Sequence, residues 1–175
     1  MPKITYTTNH KYEIAPYAAD WPLWYAKEAA LLQQIIGEAA DIQHVGSTAI
    51  PGMAAKPQLD ILVQVPDITA IDALQQQVEA ADYVAYGDAL KKGGRLFSRW
   101  KAGAKIINVH VFETGSPAVN EYISVRDFLR THPEEAEKYA AFKLELYKKY
   151  PTDYLKYREY KDPYLEQLRS RIPQN

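Results

Sequence analysis

The chain has 175 residues, 21 Lys and Arg against 22 Asp and Glu for a formal net charge of −1, and no cysteine. That length suits a single domain with its own core, and the missing thiols exclude disulfides, thiolate metal sites and a cysteine nucleophile, in keeping with a reducing, cytoplasmic address. The near-neutral charge speaks against a general nucleic-acid binder, the first ten residues lack the apolar run of a signal peptide, and no stretch approaches the roughly 18 apolar residues of a membrane span, so no membrane partner is expected.

In chain order, the first predicted element is an amphipathic helix from Asp20 to about Gly37. Asp20 is its expected N-cap, Pro22 sits in the first turn, and Trp24, Leu31, Leu32, Ile35 and Ile36 recur at helical spacing. Asp41 to Val45 reads as a short strand, followed by an ordered loop from Gly46 to Pro57 in which Pro51 and Pro57 permit at most one helical turn. Gln58 to Val65 alternates: Leu59, Ile61, Val63 and Val65 share one face and Asp60, Leu62 and Gln64 the other, so Asp60 points away from the most apolar side.

Ile68, Ile71, Leu74 and Val78 mark a second helix, and Asp82 to Tyr86 a strand. Arg95 to Lys101 and Lys105 to Glu113 form a predicted hairpin around Ala102-Gly103-Ala104. It aligns Arg95, Phe97, Arg99 and Lys101 in one strand and Ile106, Asn108, His110 and Phe112 in the other. From Asn120 the chain reads as helical. Pro133 opens a further helix, with Glu134 and Glu135 in its first turn and Lys148 and Lys149 in its last, matching the helix dipole, and Pro151 ends it. A last helix from Asp153 is expected to break at Pro163, with fraying after Ile172. The sum is an α+β domain: a small mixed sheet of about five strands flanked by helices, with a C-terminal helical portion.

Residues 44–63 concentrate the chemistry. An Asp flanked by Leu59 and Ile61 needs a hydrogen-bond donor, a cation or a metal ion. A Gly-Ser bend at Gly46 and Ser47 suits a phosphate, because glycine lets backbone N–H groups approach anionic oxygens and the adjacent hydroxyl donates to them. Asp60 reads equally as a structural carboxylate satisfied by backbone donors or by Lys56, and His44 and His110 as hydrogen-bonded strand histidines or as ligands. Lys56, Arg99, Arg126, Lys143 and Lys161 are the candidate cations. Of these, Lys143 stands beside Phe142 and Tyr147, and Lys161 beside Tyr157, Tyr160 and Tyr164. Residues 138–171 hold nine Lys and Arg against five Asp and Glu, with seven of the fourteen tyrosines. That pattern either stacks bases and pairs phosphates, making RNA a minority partner, or packs buried aromatic faces.

Pro16-Tyr17, Trp21-Pro22, His44 to Thr48, Pro51-Gly52, Ala55-Lys56-Pro57 and Asp60-Ile61 together resemble the GrpB-like proteins, a branch of the nucleotidyltransferase superfamily. His110, Arg126 to Arg130, His132-Pro133, Tyr139, Lys143, Tyr157 and Lys161 continue the resemblance over nearly the whole chain. A similar module is fused to some dephospho-CoA kinases, but no Gly-x-x-x-x-Gly-Lys-Ser/Thr loop is present here. The resemblance implies a nucleotide-binding protein, with a nucleoside triphosphate as partner and a possible nucleotidyl transfer to an unspecified acceptor. Gly46, Ser47, Thr48, Lys56, Arg99, Lys143 and Lys161 would bind phosphate, Asp60 would be catalytic, and Asp60 with His110 would hold a divalent ion, Mg²⁺ or Mn²⁺. The superfamily's second acid falls at Leu62, and Asn108 and His110 stand where its third is wanted, so Asp60 and His110 suit one Mn²⁺ or Zn²⁺, or no metal. The alternative is a non-catalytic nucleotide- or phosphate-binding or regulatory module.

Overall fold

The alternating segment becomes a strand near the centre of a five-stranded sheet in a computed structural model that describes residues 9–173. Along the chain run α1 (Trp21–Ile36), β1 (Asp41–Val45), a 3-10 turn at Ser47–Ala49, β2 (Leu59–Val65), α2 (Thr69–Ala73), α3 (Gln75–Ala80) and β3 (Val84–Ala85). Then follow β4 (Arg95–Lys101), β5 (Ala104–Glu113), α4 (Pro117–Thr131), α5 (Pro133–Lys149) and α6 (Tyr154–Ser170). The sheet order is β1-β2-β5-β4-β3, with β2 and β5 parallel and the other pairs antiparallel.

The β2–β5 register sets Asp60 beside Asn108 and Leu62 beside His110. Because side chains alternate across a strand, this fixes two unlike faces. On one, Leu59, Ile61, Val63, Phe97, Val109 and Val111 are sealed by Trp21 and Leu32 of α1 and by Ile71 and Val78 of α2 and α3. On the other, Val45, Leu62 and Phe112 meet Ala118 and Val119 of α4. Farther along, Leu129, Tyr139 and Leu168 of α4, α5 and α6 close on Ile50 and Met53 of the loop after β1. Among the described residues no helix is long and apolar enough to cross a membrane.

Several boundaries depart from expectation. Asp20 is itself helical in backbone and makes no side-chain cap bond. The second helix divides at Leu74 into α2 and α3, and β3 has two residues. The hairpin turn is the pair Ala102 and Gly103, both at positive φ, the conformation that follows the twist of two antiparallel strands. Pro117 starts α4 before Asn120, as proline does well in a first turn. Helix α6 runs through Pro163 without ending. Glu159, whose carbonyl loses its donor there, and Pro163 are both exposed, so the break in the ladder falls on the solvent side while Tyr164, Leu165 and Leu168 pack on the inner side. Expectations for the first eight residues and for the tail beyond Pro173 lie outside the described residues.

Candidate functional site

Where β1 ends, Gly46 takes φ 73° and ψ −172°, a backbone region essentially reserved for glycine. A Cβ there would come within 2.7 Å of Asp60 Oδ2, so only glycine lets the bend close over the strand opposite. Asp60 Oδ1 accepts from Gln58 Nε2 at 3.1 Å and from Asn108 Nδ2 at 3.0 Å. Asn108 is oriented in turn by Ser98, whose hydroxyl donates to its Oδ1 at 2.8 Å. His110 Nε2 lies 3.6 Å from Asp60 Oδ1, and its Nδ1 is 3.2 Å from the Tyr122 hydroxyl. Burial alone would push the Asp60 carboxyl up, but His110, Asn108 and Lys56 outweigh it and hold the group at about 2. Asp60 is therefore an anion throughout the neutral range.

Ser47, Asp60, Tyr139, Arg158 and Lys161 line both lobes of a cleft on this face. The larger lobe, about 330 Å³, opens between Tyr122 and Leu129 of α4 and Leu165 and Arg169 of α6. The smaller, about 140 Å³, runs toward Lys56, Gln58 and Tyr157. Arg158 and Lys161 lie one turn apart on α6 and share Asp162, at 2.7 and 3.0 Å. Lys56 donates to the Tyr154 hydroxyl at 3.2 Å, and burial draws its amine down to about 7. Lys143, only 2% exposed, donates to Ser47 Oγ at 2.9 Å and to the Ala54 carbonyl at 2.6 Å, and burial followed by the charge of Lys161 lowers it to about 7.

The structure thus gathers Gly46, Ser47, Lys56, Asp60, His110, Lys143 and Lys161 around one cleft. Lys143 stands behind Ser47 rather than projecting into open space, because its stem is enclosed by the packing of α5. Thr48 borders the smaller lobe, but its hydroxyl is 2.9 Å from His44 Nε2 and donates to the Gln58 carbonyl, which ties the loop together. His44 is a core residue stacked on Tyr25 at 4.7 Å, and burial holds it down at about 4. Arg126 donates to Gln43 Oε1 and the His44 carbonyl, bracing α4 against β1 at the edge of the larger lobe. Sequence reasoning missed Arg158, Tyr122 and Gln58. The three-residue spacing of Arg158 and Lys161 on a helix was a usable signal for the first.

Arg99 is corrected outright. It shares the face of Phe97, across the sheet from Asp60, where its guanidinium donates to Glu28 Oε1 at 2.7 Å and to the Ala81 carbonyl at 2.8 Å and lies over the Tyr83 ring. It binds α1 and α3 to the sheet and cannot reach the cleft. Arg99→Lys is expected to lose about 1 to 2 kcal/mol of stability, since an ammonium cannot reproduce the planar fork. It should leave any response to nucleotide unchanged; denaturant melts with and without ligand check both.

The divalent-metal centre implied by the resemblance does not fit these residues. Among the described residues no group of three or more His, Asp or Glu side chains converges. Leu62, where a second acid is wanted, is fully buried against Val45 and Phe112. At the third position stands Asn108, which spends its amide on Asp60. Mg²⁺ and Mn²⁺ demand several oxygen ligands, and here a single carboxylate has its Oδ1 engaged by two amides, which leaves Oδ2 as its one uncommitted oxygen. His110 accordingly serves Asp60 as a partner rather than as a co-ligand.

The five-stranded mixed sheet with its Gly-Ser bend defines an α+β protein of nucleotidyltransferase-like fold. A crystal structure of the Cid1 poly(U) polymerase with Mg 3′-dATP bound shares that fold with a TM-score of 0.50 at 12% identity, over 77% of this chain and 42% of that one. The chain belongs to the GrpB family, whose description is GrpB protein and whose pattern matches residues 11–171. A crystal structure of GrpB from Enterococcus faecalis superposes with a TM-score of 0.85 at 28% identity, covering 90% of this chain and 95% of that one. UPF0157 protein YqkA of Bacillus subtilis is 36% identical over 160 residues, 90% of this chain and 46% of YqkA, so the chain spans about half of that relative's length.

Proposed function

We propose that this is a nucleotide-binding protein whose cleft takes a nucleoside triphosphate, with the phosphates at the Gly46-Ser47 bend and the organic half in the larger lobe. The observation that carries the reading is the charge of the smaller lobe: Lys56, Arg158 and Lys161 line it against one lining carboxylate, Asp60, beside a hydroxyl-bearing bend. Such a surplus of cations in a concave, partly water-excluded site favours a polyanion. The tyrosines of α5 and α6 lend less to RNA stacking, because Tyr139 and Tyr157 are buried and Tyr164 is stacked on Phe142.

Two forms of this function differ in whether transfer follows binding. Leu62 and Asn108 favour binding without metal-dependent transfer, since they occupy the places of two acids, the first packed in hydrocarbon and the second giving Asp60 a neutral amide. A thermal-shift series with the four common nucleoside triphosphates tests the reading. At about 100-fold excess over Kd, the matched nucleotide should add about 2.7 kcal/mol of stability, a rise of several degrees, with or without added Mg²⁺. Lys161→Ala should shrink the shift. If neither a nucleotide nor tripolyphosphate moves the melting temperature, the cleft is not a polyphosphate site. Pyrophosphate release that needs Mn²⁺ and is abolished by Asp60→Asn would instead establish the transferase.

A further inference from the structure

We propose that Ser47 and Lys143 form a nucleophile and base pair, giving the cleft a covalent acyl-transfer chemistry toward carboxylic esters that carry an anionic group. This goes beyond nucleotide binding and does not depend on it.

Ser47 is half-buried at the meeting of the two lobes, presented by a bend that only glycine can make. Lys143 stands directly behind it at 2.9 Å. A second contact fixes the amine: the Ala54 carbonyl, 2.6 Å away, accepts one N–H. In the neutral amine this leaves the lone pair for the Ser47 hydroxyl to donate into, which is the arrangement a general base requires. The partners of Nζ are a hydroxyl, a carbonyl and, at 4.6 Å, the face of Tyr139; no carboxylate contacts it among the described residues. A buried ammonium without a counter-ion is expensive, and burial together with the nearby Lys161 holds the group at about 7, so a large share is neutral at physiological pH. The other titratable groups around it are Tyr139 of its own helix, Tyr154, Tyr157, Arg158 and Lys161 of α6, and Lys56 and Asp60 across the smaller lobe. The only anion among them, Asp60, is already held by Gln58, Asn108 and His110.

In the first half-reaction, Ser47 Oγ bonds to the carbonyl carbon of the ester while its proton passes to Lys143 Nζ. The carbon–oxygen bond to the leaving alcohol then breaks, and Lys143 returns the proton to that oxygen. Water repeats the sequence on the acyl-serine, releasing the acid and restoring both side chains. Arg158 and Lys161, which line the same cleft, hold the anionic group of the substrate.

The test uses the full chain and an alkyl fluorophosphonate, which marks an activated serine by forming an oxygen–phosphorus bond as fluoride leaves. Peptide mass spectrometry should find one adduct, at Ser47, absent from Ser47→Ala. In Lys143→Met and Lys143→Arg, shown by their melting curves to be folded, the labelling rate should fall about 100-fold, the scale of general-base assistance. In the wild type the rate should rise with pH and level off above about 8, once the amine has lost its proton. The proposal is overturned if Ser47 is unlabelled, or if folded Lys143→Met reacts as fast as the wild type. Should that variant fail to fold, a wild-type rate that keeps climbing tenfold per pH unit to about pH 9 overturns it equally. No nucleotide is present in this assay, so its failure would leave the thermal-shift result untouched, and the converse holds.

Discussion

Lys143→Met is expected to raise the melting temperature at about pH 6, and the gain should shrink by roughly 2 to 3 kcal/mol on going to about pH 9. The cause is a buried amine that ionises near 7 in the folded chain, against an ordinary value of 10.5. Between those two values the unfolded chain binds more protons than the folded one, so wild-type stability rises with pH. Below the lower value both states are protonated, and the folded state carries the full penalty of an ammonium enclosed with a hydroxyl, a carbonyl and a ring. Methionine fills a similar volume and titrates nowhere, so the difference between the two proteins isolates Lys143. Melts of both at the two pH values and equal ionic strength are the measurement. A difference that stays constant with pH would mean that the amine is charged throughout. A lysine that weakens the fold at neutral pH is what the proposed pairing with Ser47 entails, because stability and activity often oppose each other at working sites.

Gly46→Ala should cost at least about 2 kcal/mol and abolish the nucleotide-dependent thermal shift. Two effects add. The backbone region that Gly46 occupies costs a side-chain-bearing residue of order 1 to 3 kcal/mol. The new methyl group would also come within 2.7 Å of Asp60 Oδ2, so the carboxylate or the bend must move. Gly52→Ala separates the two: Gly52 is also at positive φ, 77°, but nothing lies within 4 Å of its added Cβ. It should therefore show a smaller loss, about 1 to 2 kcal/mol, with nucleotide response retained. Chemical denaturation of the three proteins, followed by nucleotide titration, distinguishes a strained loop from a displaced acid. Equal losses for the two substitutions would show that the contact with Asp60 yields cheaply.

The sheet face that carries Asp60 was legible from residues 58–65 alone, because a period of two is unambiguous when four of its members are branched or apolar. The same alternation set Leu62 on the face of Asp60, and its burial beside Phe112, away from Leu59 and Ile61, agrees; that an acid is wanted there is what the family resemblance implies. Arg99 illustrates the limit. Its kinship with Phe97 was visible within the strand, but which face Phe97 belongs to depends on the hairpin register of β4 with β5 and on the pairing of β5 with β2, a long-range register that one strand's pattern does not carry. Lys143 shows another. Helical spacing shows which residues share a stripe, yet whether that stripe borders a cleft or plugs it is decided by the approach of α5 to the loop after β1. Pro163 was misjudged because a proline's disruption depends on whether water can reach the carbonyl it strands.

The Ser98–Asn108–Asp60 chain of hydrogen bonds has a chemical corollary. Replacing one nitrogen of the Asn108 amide by oxygen would set two anions about 3.0 Å apart on adjacent parallel strands, a repulsion that only a shared proton or a captured cation relieves. The sheet therefore rests a single heteroatom away from demanding an ion, and the neutral amide is what allows this carboxylate to stand alone.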